Sequence, residues 1–558
     1  MQWRYSEGRR AKVVLFVLMF ILGNIIYLIE PYIIGKIFEL IQLNSTSPDF
    51  LWTFFSLISL LFLTNLGFWM FHGPARVMEN NNAYLIQRDY QMRLFSYVLA
   101  LPASWHRDHH SGDTIDKINR ASKGLESFSS HNFLVIEMVM RLVGSAAALF
   151  LLDRAIGSFV FIISLLTLVC IRRFDKILYQ QYIKLYRMFG FIAAGVYDYI
   201  SNIFTVITLR LPERAKKEID RRIMAAVPLQ RKNNVVNEFK WFFASTMISI
   251  MTVVVLGWVG YRSYVSTGIV VIGTLYMYFG YLQRMGETFY NFAGHYGTIV
   301  ENHASVGTAD YILEAYNELP EHVEARLASG WKSVSISDLS FSYGKHFGKR
   351  VHLDNVHVEF HKGQKIAFIG KSGSGKSTMM AILRGLYSTP HVLVEADGKT
   401  LEHGLAHLYE HSTLIPQHPE LFKNTVEYNI TLGLHTPLNK IREVLRLSRF
   451  DQVVRRLKKG LQTNVMERGV SLSGGEKQRL ALARGLLASE RSDILLLDEP
   501  TSSVDSPNER AIYTSILKKY HHKTIISAIH RLHLLHLFDY IYYFKDGRII
   551  GNVLVKLA

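Results

Sequence analysis

Gly370-Lys371-Ser372-Gly373-Ser374-Gly375-Lys376-Ser377 sets four residues between two glycines and closes on Lys-Ser, the spacing of a phosphate-binding loop. It follows the apolar run Ile366–Ile369, as a strand feeding a helix does. The glycines let backbone N–H groups approach phosphate oxygens. Lys376 brings a point charge to the outer phosphates, Ser377 a hydroxyl for Mg²⁺, Thr378 belongs to the same nucleotide-binding set, and the following helix directs its N-terminal dipole at the anion. Downstream, Ile494–Leu497 is a short apolar run of buried-strand type that ends in Asp498-Glu499, two carboxylates at the strand edge where ligands bind. Asp498 suits Mg²⁺ held through water. Glu499 suits the base that polarises the attacking water, because phosphoryl transfer demands positioning more than covalent chemistry. A Gly-Ser-rich turn and an ordinary surface turn are the plain readings of these two motifs. Their order around Leu472-Ser473-Gly474-Gly475-Glu476 weighs against both and points to ATP hydrolysis with Mg²⁺.

With these motifs, residues 331–558 resemble the nucleotide-binding domain of an ATP-binding cassette (ABC) transporter of the exporter type, and the resemblance extends to the whole chain. It implies further roles. Tyr343 matches the aromatic that stacks on adenine, Gln417 the glutamine that senses Mg²⁺ and the membrane domain, and His530 the switch histidine. Ser503-Val504-Asp505 resembles the loop linking two ATP sites, and Glu467-Arg468-Gly469 a segment that contacts coupling helices. In such transporters the Leu-Ser-Gly-Gly-Glu of one domain closes over nucleotide on another, so Ser473, Gly474 and Gly475 would serve a partner's ATP. One copy per chain implies a dimer. Intact Glu499 and His530 favour a homodimer, with half of a heterodimer as the alternative. Two stretches depart from the pattern. His391–Gly398 lacks a glycine usually found ahead of its strand, and Tyr428 stands where an acid is usual; both bear on contact with the membrane domain and not on nucleotide.

The elements that must position this chemistry fall into two classes. The chain has 558 residues, 49% apolar, with a mean hydropathy of +0.12, and its apolar residues concentrate ahead of position 300. Uncharged apolar windows run over Val13–Ile29, Leu51–Phe71, Leu142–Leu152, Ala155–Ile171, Trp241–Tyr261 and Gly268–Gln283, read as six spanning helices. Leu51–Phe71 and Trp241–Tyr261 have no polar face to offer water, which excludes a soluble core helix. The first window exceeds a signal-peptide core and no cleavage site follows it. The expected fold is an all-α six-helix membrane domain with long cytosolic helices over 1–318, a linker over 319–330, and an α/β P-loop ATPase over 331–558.

Orientation follows from basic residues. Residues 172–240 hold fourteen Lys/Arg against six Asp/Glu, whereas the short connections 39–50, 153–154 and 262–268 hold only Arg154 and Arg262. Both termini are therefore expected in the cytosol, of a bacterial cell on the resemblance. The net charge of +17 is read as apposition to an anionic leaflet and not as nucleic-acid binding. The polar, helix-forming stretches between spans 2 and 3 and between 4 and 5 are too long for turns. Within them Leu101–Asp113 and Tyr199–Thr208 resemble the two coupling-helix regions of ABC exporters.

Ionisable residues inside spans are candidates for contact with cargo. Arg284, Glu287, Asn291 and His295 advance by 3, 4 and 4 along one stripe, and Glu137 and Arg141 lie one turn apart. The structural alternative is local pairing, Glu137 with Arg141 and Arg284 with Glu287. If the stripes face a cavity, the cargo is amphipathic, lipid or peptide included, with a charged head near Arg141 or Arg284. His106, Asp108, His109 and His110 have helix-face metal spacing, set against a mechanical role for their segment. The single cysteine, Cys170, makes no intrachain disulfide. Rival readings are a soluble cassette ATPase, contradicted by the spans, and a channel or receptor that ATP only gates.

Overall fold

A computed structural model describes residues 1–319, 325–343, 351–389, 392–418, 420–465 and 472–555, with 293 and 296 described by backbone alone. Glu467–Gly469 and His391 lie outside the described residues. The chain divides into two compact units, one of 1–101 with 108–319 and one of 102–107 with 320–558.

The first unit is helical. Its helices are α1 (Gln2–Tyr5), α2 (Arg10–Tyr27), α3 (Glu30–Leu43), α4 (Phe50–Ala100), α5 (Ala103–Asp108, of which 103–107 go with the second unit), α6 (Ser111–Ser129), α7 (Asn132–Leu152), α8 (Arg154–Ser201), α9 (Ile203–Thr208), α10 (Pro212–Thr267), α11 (Ile272–Gly307) and α12 (Asp310–Asn317). Five segments among the described residues are long and apolar enough to cross a membrane: Arg10–Leu43, Phe50–Ala100, Ser111–Leu152, Arg154–Ser201 and Pro212–Thr267. Their apolar side chains remain largely exposed, Leu51, Trp52, Phe55, Phe62 and Leu66 of α4 among them. That is the pattern of a chain whose solvent is lipid. The sixth expected span lies on α11, which has the length, but its glycines, tyrosines and ionic side chains keep it below the same apolar mark.

Those glycines have a packing reason. A Cβ on Gly273 would stand 2.2 Å from the Gly35 carbonyl, and one on Gly280 2.8 Å from Pro31, so α11 lies hard against α3 through small residues. The first expected span is broken at Leu28 and Ile29, where α2 gives way to α3. At the next corner Asp153 alone joins α7 to α8; its carboxylate accepts from the N–H groups of Ala155 and Ile156 and pairs with Arg262 of α10.

The second unit is α/β. A six-stranded sheet runs β10-β9-β3-β8-β7-β6 and a four-stranded antiparallel sheet β2-β1-β4-β5. The strands are β1 (Ser333–Phe341), β2 (Leu353–His361), β3 (Lys365–Ile369), β4 (Leu393–Ala396), β5 (Lys399–Thr400), β6 (Ser412–Ile415), β7 (Ile494–Asp498), β8 (Thr524–Ala528), β9 (Tyr540–Lys545) and β10 (Arg548–Leu554). Helices α13 (Lys376–Leu383), α14 (Ala406–Tyr409), α15 (Val426–Thr431), α16 (Leu438–Leu447), α17 (Asp451–Arg456), α18 (Gly474–Ala488) and α19 (Ser506–Lys519) surround them. Strands β3, β7 and β8 are buried throughout and pair in parallel. Their alternate residues enter two cores: Ile366, Phe368, Leu496 and Ile526 pack with β1, β2 and α13, while Ala367, Leu495, Leu497 and Ile525 pack with α16, α18 and α19. The sheet is thus the middle of three layers, with β3, β8 and β7 side by side at its centre.

Candidate nucleotide and substrate sites

The phosphate-binding loop leaves the end of β3, Asp498-Glu499 ends β7, and His530 follows β8. Because these strands are neighbours, all three chemistries arrive at one edge of the sheet. They line a cavity of about 170 Å³ formed by Ser372–Thr378, Gln417, Glu499, His530 and His352. Lys371 is outside that lining; its carbonyl and that of Gly370 accept from Lys376 Nζ at 3.2 and 2.8 Å. A Cβ on Gly370 would meet the Phe544 carbonyl at 2.2 Å, and Gly375 holds φ +112° as the N-cap of α13.

The Ser377 hydroxyl donates to Asp498 at 2.9 Å. Burial pushes the Asp498 carboxyl above the ordinary aspartate range, and burial lowers the Lys376 ammonium. Gln417 donates to one oxygen of Glu499 at 2.8 Å, and His530 Nε2 lies 2.6 Å from the other. Glu499 itself sits at φ +48°, a backbone cost that a side chain aimed at chemistry can justify. The donor set fits a magnesium nucleotide: hydroxyl and carboxylate oxygens suit a hard cation, and the buried Ser374 hydroxyl has no partner within the described residues.

Tyr343 lies half-buried against this loop, donating its hydroxyl to Thr378 at 3.1 Å. Ser473 is exposed as the N-cap of α18; its hydroxyl accepts from the Glu476 N–H while the Glu476 carboxylate accepts from the Ser473 N–H. Ser473, Gly474 and Gly475 are not in the lining of the cavity just described. Asp505 caps α19, accepting from the Asn508 N–H.

Spacing did not single out Gln478. It is buried, donates to the Gln417 carbonyl and to Ser502, and accepts from the Ser503 N–H. One side chain so ties α18 to the loops carrying Gln417 and Asp505. His352 was also missed, since it enters the cavity from the start of β2 only through tertiary packing.

The membrane-domain candidates come together but are paired. Arg141 bonds Glu137 one turn away and has Glu287 at 3.9 Å. Pairing of Arg284 with Glu287 does not occur: Arg284 bonds Glu30 of α3 and the Tyr27 carbonyl instead. The reason is the stripe Gly273, Gly280 and Arg284, which faces α3 and leaves Arg284 only 7% exposed. Where α2 ends, carbonyls lose their helical donors; Arg284 caps that of Tyr27, and the Tyr281 hydroxyl that of Leu28. Two guanidinium groups lie over the Tyr27 ring, Arg284 at 3.9 Å and Arg141 at 4.7 Å from its centre. Glu287 remains about half exposed, and Asn291 is half-buried further along α11. Among the described residues no group of three or more His, Cys, Asp or Glu side chains is placed to hold a metal ion.

Against known proteins, the profile described as the ABC transporter transmembrane region matches residues 13–285, and that described as ABC transporter matches 353–502. An ATP-dependent lipid A-core flippase of Francisella tularensis is 34% identical over 46% of this chain and 41% of its own length. The multidrug resistance-like ATP-binding protein MdlB of Buchnera aphidicola is 29% identical over 55% and 53%, and P-glycoprotein 14 of Caenorhabditis elegans 38% over 34% and 14%. The chain thus matches about half or less of the length of these curated relatives. A solved structure of a bacterial Atm1-family ABC exporter with ATP bound superposes with a TM-score of 0.85 over 98% of this chain and 96% of that one, at 22% identity, a likeness of fold. The two matched regions are the two halves of a single family and together take in well over half of the residues, so the chain belongs to the ABC transporters, with a helical transmembrane region fused to an ATP-binding domain.

Proposed function

We propose that this chain exports or flips an amphipathic substrate across a membrane, driven by ATP hydrolysis, as a homodimer with two composite nucleotide sites. The observation that carries the reading is the pocket lined by Lys376, Ser377, Gln417, Glu499 and His530, with Asp498 bonded to Ser377, on a chain whose described residues include five long apolar segments. Lys376 and the loop amides bind and orient the phosphates. Mg²⁺, held by Ser377 and by Asp498 through water, supplies neutralising positive charge when bound. Gln417 and His530 fix the Glu499 carboxylate, which takes the proton of the attacking water. The exposure of Ser473 and Gly474 away from their own cavity supports a second copy as the wall that completes each site. Nucleotide that binds the closed pair better than the open one then biases the membrane cavity outward, and hydrolysis resets it.

Both termini face the cytosol in this reading, in a bacterial inner membrane, as the basic 172–240 region supports. The cargo carries a charged head and an apolar body, with Glu137, Arg141, Arg284, Glu287 and Asn291 on or behind the wall it passes. The test is ATP turnover by the protein in nanodiscs against lipids, peptides and drugs, with Glu499→Gln as control. Turnover stimulated by one class and abolished in Glu499→Gln is expected. Turnover equal in the two proteins sinks the assignment of the base, and current down a gradient without turnover sinks the pump.

A further inference from the structure

Arg107 is the last residue of the Pro102–Arg107 segment, which belongs with the nucleotide-binding unit although the chain enters and leaves it through the helical one. Its guanidinium carbon lies 4.8 Å from the centre of the Tyr343 ring and 5.6 Å from that of Tyr387. Tyr343 is held on other sides as well. Its hydroxyl is tied to Thr378 of α13, and Phe341, His352 and Tyr387 meet its ring at close to right angles with centroids 4.8 to 5.0 Å away. A ring tied at its hydroxyl and crowded by three neighbours has little freedom to offer another face, and a purine stacks face to face.

We propose that Arg107 and the adenine base compete for the face of Tyr343. The arginine holds that face through a cation–π contact. ATP arriving on the phosphate loop places its base there and displaces the guanidinium carried by α5, which is joined by two residues to α4 and by two to α6. Base binding is thereby tied to a change in the chain that leads into the helical unit. Arg107 acts as a positioning residue, setting how much of the base-stacking energy appears as affinity. The inference rests on the nucleotide reading of the cavity, and a ligand without a base separates the two.

The experiment measures the affinities of ATP and of inorganic triphosphate, both with Mg²⁺, for the full chain in nanodiscs carrying Glu499→Gln, with and without Arg107→Ala. A cation–π contact of ordinary strength corresponds to ATP binding about threefold to tenfold tighter in Arg107→Ala, with triphosphate unchanged. Adding Tyr343→Leu erases the gain, and Arg107→Lys falls between the parent and alanine. Weaker ATP binding with unchanged triphosphate means that the arginine packs on the base, and overturns competition. An equal change for both ligands makes Arg107 a phosphate contact and also overturns it, as does no change for either. Failure of the parent to bind either ligand would remove the nucleotide site itself, an outcome distinct from these.

Discussion

At the scale of the residue, Asp498 stores an unfavourable term that a ligand can relieve. Its carboxylate is buried beside Ser377, and burial raises its pKa above the ordinary value near 3.9. The folded chain therefore binds this proton more tightly than the unfolded one. The contribution of Asp498 favours folding at low pH and is lost as pH rises through the raised value. Asp498→Asn keeps an acceptor for the Ser377 hydroxyl and removes the charge. At neutral pH without nucleotide the variant is expected to melt above the parent, while adding Mg²⁺ and ATP raises its melting temperature less than the parent's. A variant that melts lower without ligand, followed by scanning fluorimetry in nanodiscs, would refute the stored cost. The phosphate loop and the carboxylate pair were legible because their chemistry is written as short spacing, a loop after one apolar run and two acids after another, whereas Gln417 and His530 were reached only through the family resemblance. Gln478 and His352 were not legible, because a glutamine inside a helix and a histidine at a strand start acquire their partners only when separate loops fold together.

At the scale of the element, length and apolarity were legible and side-to-side partnership was not. A run such as Leu51–Phe71 leaves no polar face and can only be read as a span, whereas α11 trades apolarity for glycines that admit α3 and for Arg284, which caps the break between α2 and α3. Which carboxylate Arg284 chooses depends on a helix 254 residues earlier in the chain. The same holds for Asp175 of α8 and Lys240 of α10, which pair at 3.2 Å with side chains only 3% and 2% exposed. Asp175 lies just past the apolar run Ala155–Ile171, and Lys240 just ahead of Trp241–Tyr261. Removing one partner strands a buried charge, so Lys240→Met is expected to cost about 3–5 kcal/mol. Pairing it with Asp175→Leu removes the stranded charge, and the double variant should regain most of that loss. Denaturation of the three proteins in one detergent reads this directly. A double variant no more stable than Lys240→Met would mean that the pair acts through packing and not charge.

At the scale of the whole molecule, the arrangement of the nucleotide site argues for a second copy. The phosphate loop, Gln417, Glu499 and His530 line one cavity, with Asp498 bonded to Ser377 of that loop, but Ser473 presents its hydroxyl end of α18 to solvent, away from that lining. If each site takes its loop from one copy and its Ser473 from the other, two different defects should complement. Lys376→Ala removes the phosphate cation. Ser473→Arg blocks the opposing surface at an exposed position, where the lost helix cap costs only about 1 kcal/mol. Each variant alone would have two broken sites per dimer. A mixed dimer gathers both defects into one site and leaves the other whole, with Lys376 from the Ser473→Arg copy and Ser473 from the Lys376→Ala copy. With Glu499→Gln in every chain to prevent turnover, and two different affinity tags to isolate mixed dimers, nucleotide retained through gel filtration can be counted. The mixed dimer should retain about one ATP, the parent about two and each single variant essentially none. Retention by Ser473→Arg alone would place the complete site within one chain, and the failure of any doubly tagged species to form would show that the copies do not associate.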